Sequence, residues 1–355
     1  MHVVLAAGGT GGHIEPALNV ADALRRIDPA IGITVLGSDR GLESTLVPER
    51  GYDLVTVASV PMPRRASTDL LKLGPLMQRA VRQATGILRD LDADVVVGFG
   101  GYASVPAYLA ARRTRTPLII HESNARPGIA NRLGARFTSH VYASYPGTLA
   151  SSTVMAPPLR ASIAGLDRAA ERDAARASFG LDPAAPVLLV FGGSQGARRL
   201  NDVVAAALPG LREQGVQVLH SYGSRNDPPE PADGYVAVPY LDRMDLAYAA
   251  ADLAMTRAGA MTCAELAAVG LPAVYVPLPI GNGEQRLNAE PVVAAGGGLL
   301  VDDGSITAEW LTDTVASLLH DDSRLSAMGA AAYRHGVRDA DEQLARIVLR
   351  VGGAS

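Results

Sequence analysis

Two glycine-rich loops have the residue types and the setting to hold a phosphate. Gly8-Gly9-Thr10-Gly11-Gly12-His13 follows the apolar run Val3-Val4-Leu5-Ala6-Ala7, and Gly192-Gly193-Ser194-Gln195-Gly196-Ala197 follows Val187-Leu188-Leu189-Val190-Phe191. Each precedes a segment with helical patterning. A strand, a glycine turn and a helix N-terminus gather backbone N–H groups into an anion site. Neither loop continues into Gly-Lys-Ser/Thr, so neither is a Walker loop, and neither fits G-x-G-x-x-G well. His13 closes the first loop, where an imidazole can take a proton from a hydroxyl or donate to a phosphate; a surface or helix-capping histidine is the plainer alternative. Ser194 offers a hydroxyl to a phosphate or caps the next helix.

Further polar residues follow other strands. Arg257-Ala258-Gly259-Ala260-Met261-Thr262 follows Leu253-Ala254-Met255 and opens a helix, with Glu265 one turn in. A carboxylate there can accept two ribose hydroxyls or serve only as a dipole partner. The loop from Pro277 ends in Glu284 and Gln285, which can bind sugar hydroxyls or cap a solvated helix. Arg160 can reach a diphosphate from a linker, or be merely solvated. His121-Glu122-Ser123-Asn124 and Gly100-Gly101-Tyr102 also follow strands. Open α/β sheets bind ligands at strand C-termini, and the shared placement outweighs any single residue. Asp39 follows a second strand, as the ribose acid of a dinucleotide fold would, but lies 27 residues beyond Gly12 where about 20 is usual. Asp90, Asp92 and Asp94 alternate before a strand, at the wrong end for a cleft, and read as turn residues. No metal and no cofactor is expected.

The elements that must position these residues alternate along the chain. Strands are expected near 2–7, 32–36, 53–58, 94–98, 117–121 and 138–142, with helices at 15–28, 41–50, 75–90, 104–114 and 127–135. Segment 144–165, with its Pro-Gly, Ser-Ser and Pro-Pro pairs, interrupts the rhythm. Strands then resume near 187–191, 216–221, 235–238, 252–255, 273–276 and 299–301, with helices at 168–178, 198–210, 242–250, 260–269, 285–295 and 307–320. The tail reads as two helices. Continuous apolar strands between helices indicate parallel sheets covered on both faces. The fold class is α/β: an N-terminal Rossmann-like domain over 1–157, a second over 158–336, and a helix in 337–355 that can pack back on the first.

The chain has 355 residues, 48% apolar and 19% charged, with a formal net charge of −4, enough apolar material for two cores and no basis for general nucleic-acid binding. The single cysteine, Cys263, excludes an internal disulfide and a cysteine metal cluster. The first residues do not read as a signal peptide, and no run approaches the roughly 18 apolar residues of a membrane span. Residues 54–89 hold Arg64, Arg65, Lys72, Arg79, Arg82 and Arg89 against one acid, Asp69. Leu70, Leu71 and Leu73 lie beside them, outside the core-facing stripe of Met77, Ala80, Val81, Ala84 and Leu88. Leucines beside arginines suit an anionic membrane surface along 64–82, or form an ordinary loop and basic helix face.

The glycine loops, His121-Glu122-Ser123-Asn124 and the run from Arg257 to Glu265, in this order and spacing, resemble the MurG family over nearly the whole chain. These glycosyltransferases add N-acetylglucosamine to lipid I in peptidoglycan synthesis, a process tied to cell shape and division. The resemblance implies a GT-B fold, two Rossmann-like domains whose sheets face a central cleft. It implies UDP-N-acetylglucosamine as donor, bound at Arg160, Ser194, Leu241, Ala260, Met261, Thr262, Cys263, Ala264, Glu265 and Gln285. Leu241 would use its backbone toward uracil and Glu265 would hold the ribose. Thr10, Gly11, Gly12 and Asn124 would approach the donor from the other domain, with Tyr102 and Glu122 on the acceptor side. The family works at the cytoplasmic face of the cell membrane as a peripheral protein. One departure is Glu284-Gln285 where the family commonly has Gln-Gln; an ionised glutamate only accepts hydrogen bonds.

The implied reaction is an inverting transfer to the 4-hydroxyl of the muramoyl-pentapeptide of undecaprenyl-diphosphate-linked lipid I, giving lipid II. His13 is the candidate base, with phosphate steering as its rival role. Helix N-termini and Arg160 would stabilise the departing diphosphate. A UDP-N-acetylglucosamine epimerase, a dinucleotide-dependent oxidoreductase and a non-catalytic nucleotide-binding protein are the other readings.

Overall fold

Runs of Val, Ile, Leu and Ala too apolar to face water on either side are buried in both halves of the chain by parallel sheets. The computed structural model describes residues 1–39, 41–59, 70–193 and 196–353, without the side chains of 70–73. The chain divides into two units, Met1–Leu159 with Asp339–Ser355, and Arg160–Arg338.

In the first unit β1 (His2–Ala7), α1 (Gly11–Ile27), β2 (Gly32–Ser38), α2 (Glu43–Glu49), β3 (Asp53–Val57), α3 (Leu70–Asp90), β4 (Val95–Gly100), α4 (Ser104–Thr114), β5 (Leu118–Glu122), α5 (Ile129–Gly134), β6 (His140–Ala143) and β7 (Thr153–Val154) follow in order. They build a seven-stranded parallel sheet ordered β3-β2-β1-β4-β5-β6-β7. Side chains alternate across it: Val3 and Leu5 of β1 join the core beneath α1, whereas Val4 and Ala6 join the core beneath α3 and α4.

In the second unit the order is α6 (Ala161–Ala164), α7 (Arg168–Ser178), β8 (Val187–Phe191), α8 (Arg198–Glu213), β9 (Gln217–Ser221), β10 (Tyr235–Val238), α9 (Met244–Ala250), β11 (Leu253–Thr256), α10 (Ala260–Val269), β12 (Ala273–Tyr275), α11 (Glu284–Ala294), β13 (Gly298–Leu300), α12 (Ala308–Trp310), α13 (Ala316–Leu319) and α14 (Asp322–His335). A π-helical turn, Leu311–Val315, joins α12 to α13. The six-stranded sheet is again parallel, ordered β10-β9-β8-β11-β12-β13. Both orders reverse once, between β1 and β4 and between β8 and β11. At such a switch point the connections leave in opposite directions and open a crevice at the strand C-termini.

The last helix, α15 (Ala340–Gly352), belongs to the first unit and packs on α1. Leu344, Ala345 and Val348 enter the α1-side core, and Arg26 Nη2 meets Asp341 Oδ2 at 2.5 Å.

Some elements differ from the sequence expectation. α1 begins at Gly11, not at 15, so His13 lies in its first turn. α3 begins at Leu70 and runs through Pro75, where a stop is expected. A proline this near a helix start forfeits one bond to the fourth residue before it, while Leu76 and Met77 still pack on the core. Within the expected linker lie β7 and α6, too short to leave a pattern.

Truncating Leu344 to Ala should destabilise the first unit by about 2–5 kcal/mol, since it sits fully buried between α15 and α1. Urea denaturation followed by circular dichroism checks this.

Candidate functional site

Each glycine loop lies at the switch point of its own sheet. The first leaves β1, and the Gly100–Gly101 turn leaves β4 beside it. Gly9, Gly100 and Gly101 have φ of +88°, +95° and +88°, a region that L side chains rarely adopt. A Cβ on Gly101 would overlap the Gly8 carbonyl oxygen, so the two turns touch backbone to backbone. Thr10 is the N-cap of α1 in extended conformation, yet its hydroxyl meets His13 Nδ1 at 3.0 Å and caps no backbone N–H. The N–H groups of Gly11 and Gly12 open the helix, where no intrahelical acceptor exists.

His13 is partly buried, with the far edge of its ring against Gly100. Burial holds its pKa below the ordinary imidazole value, and Glu122 and Glu43 pull it partly back. It is therefore neutral at pH 7, the form a base requires.

Glu122 is 1% exposed and works as a hub. Its Oε1 accepts Asn124 N–H at 3.0 Å and Asn124 Nδ2 at 3.2 Å; its Oε2 accepts Gly128 N–H and Asn131 Nδ2, both at 3.0 Å. Buried Asn131 also donates to the His121 carbonyl and accepts from Tyr108 Oη at 2.7 Å. Glu122 thus shapes the turn after β5 and holds Asn124, whereas Tyr102, 51% exposed, is open to a ligand. Asp39 accepts the Ser59 amide and hydroxyl, and Asp94 Oδ2 accepts the His2 N–H at 2.6 Å.

In the second unit the loop after β8 matches the first at its second glycine. Gly193 has φ +88°, as Gly9 does, and Gly196 has φ +72°. A Cβ on Gly196 would overlap the Tyr222 carbonyl at the end of β9. Ser194 lies outside the described residues. Beneath the loop, His220 Nε2 donates to Asn201 Oδ1 at 3.0 Å, and Asn201 Nδ2 donates to the Tyr222 carbonyl at 2.9 Å. His220 Nδ1 accepts from Tyr235 Oη at 2.7 Å. Burial pushes the His220 pKa down to about 4, so the ring ties α8 to β9 and β10 as a neutral group. Sequence reasoning missed this network; only the turn residue Gly196 hinted at close backbone approach.

β11 leads into α10 through Gly259, an N-cap without a side-chain cap, as Ala197 is for α8. The first N–H groups of α10 belong to Ala260, Met261 and Thr262, so apolar residue types are no obstacle to a site here. Cys263 and Leu241 turn their side chains into the core. Glu265 Oε2 accepts from Tyr248 Oη at 2.8 Å. Burial and then the Glu265 charge push the Tyr248 phenol well above its usual pKa, and Arg160 opposes them. Arg160, the N-cap of α6, therefore shares one electrostatic neighbourhood with Glu265.

Gln285 Oε1 accepts Ala258 N–H at 3.2 Å and Leu278 N–H at 2.9 Å. Two donors fix the amide orientation, so Nε2 faces away from them. Glu284 N–H bonds Asn282 Oδ1 at 3.2 Å, and its carboxylate sits in the first turn of α11. Arg257 is spent on structure: Nη1 donates to the Val276 carbonyl at 3.2 Å and to Asp303 Oδ1 at 2.5 Å.

Known proteins match this architecture along its length. A model described as the glycosyltransferase family 28 N-terminal domain matches residues 3–143, and one described as the family 28 C-terminal domain matches 187–344. A Streptomyces avermitilis protein named UDP-N-acetylglucosamine–N-acetylmuramyl-(pentapeptide) pyrophosphoryl-undecaprenol N-acetylglucosamine transferase is 57% identical over 354 residues, 98% of each chain. A Mycolicibacterium smegmatis protein of the same name is 56% identical, covering 99% of this chain and 94% of that one. The crystal structure of Acinetobacter baumannii MurG superposes with a TM-score of 0.78 at 28% identity, over 98% of this chain and 99% of that one. The chain belongs to the MurG family of glycosyltransferases. Its fold is GT-B. A UDP-GlcNAc 2-epimerase from Neisseria meningitidis shares the fold, with a TM-score of 0.69 at 14% identity over 99% of this chain and 100% of that one.

Replacing Gly101 by Ala should displace the Gly8–Gly12 loop. The left-handed backbone alone costs about 1–2 kcal/mol, before the overlap with Gly8 is counted. Urea denaturation together with turnover should show both fall.

Proposed function

We propose that the protein transfers N-acetylglucosamine from UDP-N-acetylglucosamine to the 4-hydroxyl of the muramoyl-pentapeptide of lipid I, giving lipid II with inversion at the anomeric carbon. The observation that carries this reading is the 57% identity, across 98% of each chain, to a transferase named for that donor and acceptor class. The chemistry of both units supports it.

The second unit suits the donor. The N-termini of α8 and α10 direct partial positive charge to where a diphosphate would lie, and Arg160 adds a full charge. Glu265, steadied by Tyr248, accepts the ribose hydroxyls. Gln285 Nε2 donates to a sugar hydroxyl, with its carbonyl oxygen already held by Ala258 and Leu278. Ser194 and the backbone of Leu241 complete the donor set. Glu284 is negative and reaches the sugar only as an acceptor.

The first unit suits the acceptor. In the tautomer that the role requires, His13 Nδ1–H donates to Thr10 Oγ1, and Nε2 carries the lone pair that takes the proton of the attacking hydroxyl. The C–O bond to UDP breaks as the new glycosidic bond forms, and the charge collects on the diphosphate. Gly11 and Gly12 offer N–H groups to the donor, and Tyr102 and Asn124 border the same edge.

Membrane attachment belongs to the same reading. α3 turns Ala80, Ala84 and Leu88 into the core and leaves Arg79, Arg82 and Arg89 exposed. Arg64 and Arg65 and the side chains of Leu70, Leu71, Lys72 and Leu73 lie outside the described residues. Among the described residues, no helix is long and apolar enough to cross a membrane. A basic amphipathic face at the cytoplasmic surface would bring the enzyme to its lipid-linked acceptor.

His13→Ala should lower kcat by about 10²–10⁴-fold, read as acceptor-dependent UDP release. In the unmodified enzyme kcat should hold near neutral pH and fall as the pH drops through the His13 pKa, below 6.5. Sugar isomerisation without acceptor would instead support an epimerase, and unchanged turnover in the mutant would remove His13 as the base. Changing Leu70, Leu71 and Leu73 to Ser should reduce sedimentation with anionic phospholipid vesicles; equal binding by both proteins would exclude this patch as the anchor.

A further inference from the structure

A carboxylate that no motif announces lies under the first glycine loop. Glu43, in the first turn of α2, is 0% exposed. Its Oε2 accepts the Gly9 N–H at 3.0 Å; its Oε1 accepts the Ser38 N–H at 2.9 Å and the Ser38 hydroxyl at 2.6 Å. Three glycines close around it. A Cβ on Gly8 would lie 2.7 Å from Oε1, one on Gly37 would lie 2.8 Å from Cγ, and one on Gly41 would overlap the carboxylate.

Such burial should neutralise a carboxyl group unless donors compensate. Burial here does raise the pKa, but the Ser38 hydroxyl and the Gly9 and Ser38 amides outweigh it, and the group stays below the usual carboxylate range. Among the described residues Glu43 has no cationic side chain within ion-pair distance, and neither has Glu122. The donors on both are neutral groups, and the Glu43 carboxylate keeps its negative charge for its surroundings. The titratable groups that act on His13 are these two, Glu122 from β5 and Glu43 from α2.

We propose that Glu43 is a positioning residue for the transfer: through the Gly9 amide it fixes the loop that carries His13, and its negative charge favours the imidazolium that forms when His13 accepts the acceptor proton. The inference rests on His13 as the base. The arrangement resembles a triad in function, since a carboxylate orients an imidazole and stabilises its charged form, but here the link runs through a backbone amide and through space.

Two substitutions separate charge from reach. Glu43→Gln removes the charge and sets an NH₂ group against a backbone N–H. Glu43→Asp keeps the charge but draws the carboxylate back from Gly9. For Glu43→Gln, kcat should fall by about 10- to 100-fold, the donor KM should change little, and the acid limb of the pH–rate profile should move to lower pH. For Glu43→Asp, kcat should fall while the acid limb stays near its original pH. NMR titration of His13 in both variants reads the same effect without turnover, and thermal unfolding confirms that each is folded. If Glu43→Gln fails to fold, Glu43→Asp and its His13 titration still decide. Unaltered kcat and His13 titration in a folded variant, with only thermal stability lost, would make Glu43 purely structural and overturn the proposal. An acid limb that persists in His13→Ala would instead show that His13 is not the base, an outcome distinct from an acid limb that belongs to His13 yet ignores Glu43.

Discussion

A parallel sheet delivers every strand's C-terminus to the same edge, and the helix that follows begins with N–H groups that its own backbone cannot satisfy. The rest of this protein depends on that constraint. At a switch point two neighbouring strands send their helices to opposite faces, so the first turns are not covered by the next connection. Gly8–Gly12 and the turn opened by Gly192 and Gly193 occupy these positions in the two sheets. The glycines allow the chain to turn there without a Cβ between backbone and ligand.

The two glycine loops stand in different electrostatic surroundings. Around the first loop stand two buried carboxylates, Glu43 and Glu122, and an imidazole held neutral by burial. In the proposed reaction this setting favours accepting a proton. In the second unit the N-termini of α8 and α10 carry no side-chain caps, and Arg160 acts on Tyr248, the partner of Glu265. That setting favours an anion that grows more negative as a bond breaks. In the proposed reaction general base and leaving-group stabilisation fall to different units.

Much of the framework is legible in residue order. The apolar runs of β1 and β8, the glycines after them and the Pro-Pro break at 157–158 imply two parallel-sheet domains, and the chain folds as two such units. The resemblance of its ordered motifs to one glycosyltransferase family agrees with family matches across both halves. Less legible were residues whose role depends on distant neighbours. Glu43 looks like an ordinary first-turn acid until Ser38, Gly8 and Gly9 are folded around it. His220 and Asn201 are 19 residues apart and have no motif spacing, yet together they secure the second loop. Pro75 reads as a helix stop because local propensity takes no account of the core packing that holds α3 beyond it.

By itself the sequence determined what is local or repetitive: where strands and helices alternate, where glycine lets the backbone turn, and that glycine-rich loops after strands occur twice. These follow from side-chain size, φ preference and hydrophobic period, which act over a few residues. Only the tertiary structure decided which polar groups are spent on the scaffold. Glu122 and Arg257 look equally available in the chain, but one is enclosed by the amides of its own turn and the other by the carbonyls after β12. The reason is that a buried charged group must find its hydrogen-bond partners within the fold, and those partners are brought to it from elsewhere in the chain.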